Sequence, residues 1–343
     1  MKTRDQLSRR RFLKAGALGT LGLAAGAAAL AAGRGAAAQT GTAGADHGQH
    51  GGVAMPGFVG EVDHAANGFD PTDVLTDFNW GDRVSTAADG RTLREYDLFA
   101  LDKDVQVAPG LVFPAWTYNG RIPGPTLRAR EGDQLRINFT NASAHPHTLH
   151  FHGIHPAAMD GVYEVVQPGE SFTYEFEAEP FGVHQYHCHV MPLAKHIAKG
   201  LYGAFIVDPP EGWPPADREL VMVMAGNDVD FDGVNDFYNV NFIPFHYDRH
   251  PIRLKVGELV RVFLVNMLEF DLLNSFHLHA NFFQWYPTGT SRTPSEYTDT
   301  IILGQAQRGM LEFRYRYPGK YMFHAHVTEF AELGWTGVFE VEA

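Results

Sequence analysis

The sequence has 343 residues and a formal net charge of −13, with 40 acidic against 27 basic side chains. A chain this acidic is a poor partner for nucleic acid and for anionic lipid, so we expect neither as a ligand. Its single cysteine, Cys188, excludes an internal disulfide framework.

The first 38 residues are typical of a twin-arginine export signal. Arg9, Arg10 and Arg11 precede a run rich in Ala, Gly and Leu, and residues 36–38 offer a small-residue cleavage site. A membrane anchor is the alternative, but the run is only weakly apolar. We therefore expect a periplasmic or secreted protein without stable membrane insertion. The segment holds seven Lys or Arg and one Asp, a net of +6, so its removal changes the net charge from −13 to −19.

Residues 39–82 are rich in Gly, Ala, Asp and Pro, which predicts a linker or a partly ordered N-terminal arm. His47 and His50 lie in this arm. They could bind a metal ion weakly, but the composition favours a solvated tail.

From residue 83 onward the pattern is all-β. Segments such as Gln134–Phe139 and Ser171–Phe176 alternate apolar and polar residues, and Gly, Pro, Asn and Asp separate the apolar runs. No long stretch after the signal has the 3.6-residue period of an amphipathic helix. A mature length of about 300 residues indicates two domains.

An internal repeat supports that division. His150-Phe151-His152 recurs in the second half as His277-Leu278-His279, and His187-Cys188-His189 recurs, in the same order, as His324-Ala325-His326. A proline-rich linker, Pro209–Pro215, separates the two copies. We predict two similar β-sandwich domains, at residues 83–210 and 216–343.

The four His-X-His pairs predict metal sites. Alternate residues of a strand point to the same face, so two such histidines can bind one metal ion or two adjacent ions. Four pairs at equivalent places are hard to explain as packing, because buried imidazoles need polar partners. The eight predicted ligands are His150, His152, His187, His189, His277, His279, His324 and His326.

Cys188 faces the opposite side of its strand from His187 and His189, so it can belong to a second, adjacent centre. One thiolate with imidazoles favours copper over zinc, and His147 and His196 would complete a blue-copper site. At the axial position we expect Leu201, with Met191 as a competing candidate. The second repeat has Asn274, Ala325, Phe330 and Trp335 in the corresponding region, so this centre is expected only in the first domain.

Over residues 83–343 these motifs, with Tyr118-Asn119-Gly120 and Pro123-Gly124-Pro125, resemble those of two-domain multicopper oxidases, the small-laccase or blue-copper-oxidase group, which is related to copper nitrite reductases. The resemblance implies two cupredoxin-like Greek-key β-sandwiches and about four copper ions per chain. Type-1 copper would bind His147, Cys188 and His196, and type-2 copper would bind His150 and His277. Two type-3 ions would bind His152, His187, His189, His279, His324 and His326. The family's homotrimers place each cluster between the first domain of one subunit and the second domain of the next.

The expected function is laccase-like: one-electron oxidation of a small phenolic, aromatic or metal-ion donor, coupled to reduction of dioxygen to water. Asp160 resembles the family's acidic residue that manages protons near type-2 copper, although a plain turn residue is nearly as good an interpretation. A copper nitrite reductase and a non-enzymatic blue-copper electron carrier are the alternatives. The sequence leaves the physiological donor open, and it predicts only structural or surface roles for His246 and His250.

Overall fold

Strands dominate the computed structural model, which describes residues 60–343. The predicted export signal and the two arm histidines His47 and His50 lie outside the described residues. No helix in the described part is both long enough and apolar enough to cross a membrane.

The described part of the N-terminal arm is ordered. It forms α1 (His64–Asn67), α2 (Pro71–Val74) and β1 (Phe78–Asn79), and the side chains of Asp63 and Asp70 cap the two helices. The carbonyl oxygen of Leu75 accepts a hydrogen bond from the amide of Val221, 2.8 Å away in the second half of the chain. The arm therefore belongs to the fold from residue 60 onward.

The first half of the chain is a sandwich of two sheets. One sheet has the strand order β1-β5-β10-β9-β7, and the other has β2-β3-β6-β8 with β4 paired to β3. A 3-10 turn spans Ala157–Met159 and α3 spans Leu193–Ala198. The strands are β2 (Arg83–Thr86), β3 (Thr92–Ala108), β4 (Leu111–Tyr118), β5 (Thr126–Arg130), β6 (Gln134–Asn141), β7 (His150–Phe151), β8 (Ser171–Glu177), β9 (Gly182–His187) and β10 (Tyr202–Asp208).

The second half repeats this plan. Its sheets have the orders β12-β11-β14-β19-β16-β17 and β13-β21-β20-β15-β18. Helices α4 (His246–Arg249) and α5 (Thr328–Glu332) are short. The strands are β11 (Arg218–Asn227), β12 (Phe237–Val240), β13 (Ile252–Lys255), β14 (Val260–Asn266), β15 (Leu273–Leu278), β16 (Phe283–Pro287), β17 (Glu296–Thr298), β18 (Thr300–Gly304), β19 (Arg308–Phe313), β20 (Gly319–His324) and β21 (Thr336–Glu342).

Equivalent strands make equivalent pairs in the two halves. The parallel pair β3–β6 corresponds to β11–β14, and the parallel pair β5–β10 corresponds to β13–β21. The antiparallel pairs β7–β9 and β15–β20 place His150 opposite His187 and His277 opposite His324. The prediction of an all-β fold with two cupredoxin-like sandwiches is confirmed.

Three hydrophobic clusters hold this arrangement together. Each sandwich has its own core, built in the first around residues such as Phe139 and Tyr186 and in the second around Phe323 and Trp335. The third cluster joins the arm to both sandwiches, with Val74, Ile206 and Phe263 among its buried members. Burial of apolar side chains from both halves in one cluster fixes the sandwiches against each other.

An ionic network also links the two sandwiches. Arg128 lies 3.0 Å from Asp208 and 2.6 Å from Glu219, and Arg261 lies 2.8 Å from Glu219 and 2.6 Å from Glu312. Both arginine side chains are buried. Removal of one partner would leave a buried charge uncompensated, so separating the two sandwiches at this network would be costly.

Candidate copper centres

Two imidazoles and the thiol of Cys188 meet in a buried pocket of the first sandwich. Cys188 directly follows β9, His147 precedes β7, and His196 lies on α3. The Cys188 Sγ atom is 3.3 Å from Nδ1 of His196 and 3.8 Å from Nδ1 of His147. The two Nδ1 atoms are 3.2 Å apart, and all three side chains are buried. Three donor atoms therefore surround one position inside the protein.

Burial sets the protonation of this pocket. It lowers the pKa of His147 to about 3, with the charges of His196 and His145 acting in the same direction, and it lowers the pKa of His196 to about 4. Burial also raises the pKa of the Cys188 thiol. The imidazoles are thus neutral lone-pair donors, and a cation is needed to displace the thiol proton. Two imidazoles and one thiolate are the donor set of a blue-copper site, so the pocket fits copper.

The two axial candidates differ in position. Leu201 is fully buried, and its carbonyl oxygen accepts a hydrogen bond from the Cys188 amide at 3.0 Å. Met191 is 75% exposed. The structure therefore buries Leu201, a side chain without a donor atom, in the same hydrophobic cluster as Cys188 and leaves Met191 at the surface.

The first histidine face consists of His150, His152, His187 and His189. The Nε2 atoms of His152 and His187 are 3.2 Å apart, and the ring of His150 lies 5.1 Å from that of His187 and 5.2 Å from that of His189, centre to centre. Nδ1 of His150 donates to the Asp160 carbonyl at 2.7 Å, and Nδ1 of His187 donates to the Cys188 carbonyl at 2.9 Å. These bonds fix the tautomers and leave both Nε2 atoms as free lone-pair donors.

The second histidine face consists of His277, His279, His324 and His326, and it repeats the first. The Nε2 atoms of His279 and His324 are 2.9 Å apart. Nδ1 of His277 donates to the Asp299 carbonyl at 2.9 Å, and Nδ1 of His324 donates to the Ala325 carbonyl at 2.7 Å. In both faces, two imidazoles have Nδ1 held by a backbone carbonyl, which leaves their Nε2 lone pairs directed among the neighbouring rings, so both faces fit a metal ion.

One hydroxyl group supports each face. The Thr148 Oγ1 atom accepts a hydrogen bond from the amide of His189 at 2.9 Å, and the Ser275 Oγ atom accepts one from the amide of His326 at 2.8 Å. Thr148 also hydrogen-bonds to Cys188 and thereby lowers the pKa of the thiol against the larger effect of burial. Thr148 therefore contacts both candidate centres of the first sandwich.

The two faces are separate within one chain. Among residues 60–343, no close group of donor atoms combines a histidine of the first face with one of the second. His279 and His326 are exposed, whereas the first face lines a cavity of about 260 Å³. Met267, Leu268 and Glu269 of the second sandwich form part of that cavity wall, where burial raises the pKa of Glu269 to about 7.

Asp160 lies beside the first face. Its Oδ1 atom is 3.2 Å from Nδ1 of His150 and 3.7 Å from Nε2 of His155, and its side chain is partly exposed. The carboxylate therefore contacts both a predicted ligand and solvent.

The pocket equivalent to that of Cys188 is filled in the second sandwich. The Leu201 amide donates a hydrogen bond to the His196 carbonyl, and the Trp335 amide donates one to the Phe330 carbonyl. Phe330 therefore occupies the backbone position of His196, and Trp335 occupies that of Leu201. The four side chains of the filled pocket, all buried, are Asn274, Ala325, Phe330 and Trp335.

Two family models match the chain, both described as multicopper oxidase, at residues 102–212 and 214–343. The chain belongs to the multicopper oxidase family. A crystal structure of a multicopper oxidase is 62% identical, with a TM-score of 0.81, over 82% of this chain and 100% of that chain.

More distant relatives carry other names. The blue copper oxidase from Nitrosomonas europaea is 28% identical, with a TM-score of 0.66, over 73% of this chain and 86% of that chain. A copper-containing nitrite reductase from Neisseria meningitidis is 27% identical over 66% of this chain, and the alignment spans only 63% of that relative's length.

Sequence reasoning did not identify several residues around these centres. Thr148 and Ser275 each act through one hydroxyl group. The sequence indicates them only by their matching positions shortly before His150 and His277. Glu269 and Trp116 reach the centres through tertiary packing, for which the sequence offers no periodic signal.

Proposed function

We propose that the protein is a laccase-like oxidase that couples one-electron oxidation of small donors to the four-electron reduction of dioxygen to two waters. One observation carries the proposal: the chain has two equivalent faces of four histidines, and Cys188 lies between His187 and His189 at the end of β9. An electron carrier would need only the Cys188 pocket and would leave eight histidines without a role.

Copper bound at these residues would supply one-electron redox chemistry at the Cys188 pocket and a site for dioxygen reduction at the histidine faces. Four coppers per chain would divide as one type-1, one type-2 and two type-3 ions. His147, Cys188 and His196 would hold the first, and His150 with His277 the second. The type-3 ligands would be His152, His187, His189, His279, His324 and His326.

The donor would approach through a surface hollow beside the Cys188 pocket. Trp116 forms part of its wall, with its ring 4.7 Å from that of His196 and 5.3 Å from that of His147. The Nζ atoms of Lys195 and Lys199 lie 5.5 and 5.1 Å from the Trp116 ring. Asp102 and Asp104 also line the hollow, so its charge is mixed, and the aromatic wall supports a phenol as the donor.

Protons for water formation would come from solvent through Asp160. Its carboxylate lies 3.2 Å from His150 and is partly exposed, so it can accept a proton at the surface and donate it toward the first face.

The oxidase would be a homotrimer whose clusters form between subunits, with domains at residues 83–210 and 216–343. The two faces do not meet within one chain, and the second face is open to solvent. Contact between the second face of one chain and the first face of the next would bring eight histidines together. Such a head-to-tail contact can close into a ring.

Co-expression of two inactive variants tests this assembly. His152→Ala removes a ligand of the first face and His279→Ala removes one of the second, so each variant alone should lose oxidase activity. Random mixing within a closed ring restores about one intact cluster in four. We expect the co-expressed mixture to consume oxygen at about a quarter of the wild-type rate. Each variant purified alone is the inactive control. Absence of recovery in verified mixed oligomers would contradict clusters shared between chains.

Nitrite reduction is the second candidate, favoured by the similarity to the nitrite reductase from Neisseria meningitidis. Metal analysis with optical and paramagnetic spectra separates the possibilities. Four coppers per chain, with dioxygen consumed as the donor is oxidised, would support the oxidase. Two coppers with turnover of nitrite would replace it, and one copper would leave an electron carrier.

Export by the twin-arginine route to the periplasm or the exterior is part of the proposal. It is supported by Arg9, Arg10 and Arg11 and by the apolar run that follows them.

A further inference from the structure

Three histidines outside the proposed copper centres form a separate cluster between the arm and the second sandwich. His64 lies on α1, His246 begins α4, and His250 directly follows that helix. One ring nitrogen from each lies within 4.8 Å of those of the other two. The ring centres of His246 and His250 are 4.6 Å apart, and those of His64 and His246 are 5.1 Å apart.

Hydrogen bonding within this cluster is incomplete. Both ring nitrogens of His64 and Nδ1 of His246 are buried without a hydrogen-bond partner. A buried polar atom left unpaired costs about 1–3 kcal/mol, so three such atoms at one place require an explanation. A neutral imidazole has one lone-pair nitrogen, so a metal ion would use one nitrogen of His64 together with Nδ1 of His246.

The surroundings of His246 orient it for such a role. Its Nε2 atom lies 2.8 Å from the Thr72 Oγ1 atom and 3.4 Å from the Asp70 carboxylate, both on the arm. Donation of the Nε2 proton to these oxygens makes Nδ1 the lone-pair nitrogen, and Nδ1 is the buried atom without a partner. Metal-binding histidines commonly have their second nitrogen held by a carboxylate or hydroxyl in this way.

The local charge also suits a cation. The Glu61 Oε2 atom lies 3.0 Å from Nε2 of His250, which adds a second carboxylate beside the cluster. Arg249 is the opposing charge, and the carboxylates of Glu61 and Asp248 act on it directly. Three imidazoles with adjacent carboxylates are a donor set that suits a borderline divalent ion, with water or a carboxylate as the fourth ligand.

We propose that His64, His246 and His250 bind one divalent transition-metal ion, Zn²⁺ or Cu²⁺, that ties the N-terminal arm to the second sandwich. The inference does not depend on the proposed oxidase activity. None of the three residues belongs to the Cys188 pocket or to either histidine face.

The test uses full-length, copper-loaded protein, freed of loosely bound metal by a chelator while its blue absorption band is monitored. Equilibrium dialysis against Zn²⁺ or Cu²⁺, followed by elemental analysis, should show one additional ion per wild-type chain. Preferential uptake in direct competition identifies the ion, and nitrogen couplings in the paramagnetic spectrum of the Cu²⁺ form would identify the imidazoles. Wild-type protein that takes up no additional ion would overturn the proposal.

Two variants locate the site. His64→Gln and His250→Gln should each lose the additional equivalent or weaken its binding by at least about 100-fold, with the blue band unchanged. His250 is the safer substitution because its side chain is 38% exposed. The double variant His47→Gln/His50→Gln is the matched control, and it should retain the ion because it changes only the tail.

Thermal unfolding gives a second readout. Binding to the folded state alone raises the midpoint, so added Zn²⁺ should stabilise the wild type and the tail variant but not His64→Gln. Equal uptake and equal stabilisation in His64→Gln and the wild type would place the ion elsewhere and overturn the assignment. Loss of the ion in the tail variant alone would do the same.

Discussion

The two sandwiches carry nearly identical histidine faces but differ completely in the neighbouring pocket. In both faces, two Nδ1 atoms donate to backbone carbonyls and a hydroxyl oxygen accepts the amide of the last histidine. In the pocket, by contrast, His147, Cys188 and His196 are replaced by Asn274, Ala325 and Phe330 in the second sandwich.

This difference separates what the fold supplies from what individual side chains supply. The faces depend on strand register, which places His150 opposite His187 and His277 opposite His324, and both sandwiches share that register. The pocket depends on three side chains and a short helix. The second sandwich is intact with Asn274, Ala325 and Phe330 in their place, because Phe330 and Trp335 join its core.

Removal of the Cys188 thiol should have the largest effect on copper content and activity. Cys188→Ala makes the first pocket resemble the second, so we expect loss of the blue absorption band, loss of one copper per chain and a fall in oxidase rate beyond about 100-fold. Optical spectra and elemental analysis would check this. The converse variant Ala325→Cys should gain no blue band, because Asn274 and Phe330 supply no imidazole. A blue band that survives in Cys188→Ala would contradict the assignment.

The supporting hydroxyl groups should have smaller and unequal effects. Thr148→Val and Ser275→Ala each leave a histidine amide without its acceptor, so we expect a loss of about 1–3 kcal/mol in stability and of about 10–100-fold in copper affinity at the affected face. Of the two variants, only Thr148→Val should also shift the blue band, because Thr148 hydrogen-bonds to Cys188 and Ser275 does not. Copper retention under chelator and optical spectra distinguish the two. Equal spectral shifts in both variants would contradict this separation.

The smallest expected effect concerns the wall of the first face. The pKa of Glu269 is raised by burial to about 7 from its ordinary 4.5. The folded chain therefore holds a proton that the unfolded chain releases between pH 4.5 and 7, and stability falls as pH rises through that window. Glu269→Gln cannot release this proton, so it should remove that part of the slope, on the order of 1 kcal/mol after solvent screening.

Urea unfolding of copper-free protein at several pH values, for wild type and Glu269→Gln, measures this difference. The histidines titrate equally in both proteins, so their contribution cancels. Parallel pH profiles would show that Glu269 is not protonated in the folded chain.

The periodic features were the ones that the sequence could predict. Alternation identified the strands, and the recurrence of the His-X-His motifs in the same order in both halves paired the two faces. The prediction of a β-sandwich repeat needs only period-two alternation and a repeated motif, and both can be read directly from the chain.

Features that depend on tertiary packing were not predictable. Glu269 reaches the first face because the second sandwich packs against it, and Thr72 reaches His246 from a distant part of the chain. The sequence suggested a linker or a partly ordered arm at residues 39–82, because its composition is rich in Gly, Ala, Asp and Pro. Its short helices are instead stabilised by burial of Val74 and Leu75 against the sandwiches.

The hydrophobic cluster shared by both sandwiches has a geometric consequence. Since it fixes one sandwich against the other, the angle between the two histidine faces is a constant of each chain. In the proposed assembly, each copy docked head-to-tail would present its free face at the same rotation. A constant rotation per subunit determines whether such an assembly closes, and after how many copies. Phe263 belongs to this cluster and is not a predicted ligand. Residues of this kind would thereby set the number of subunits in the ring.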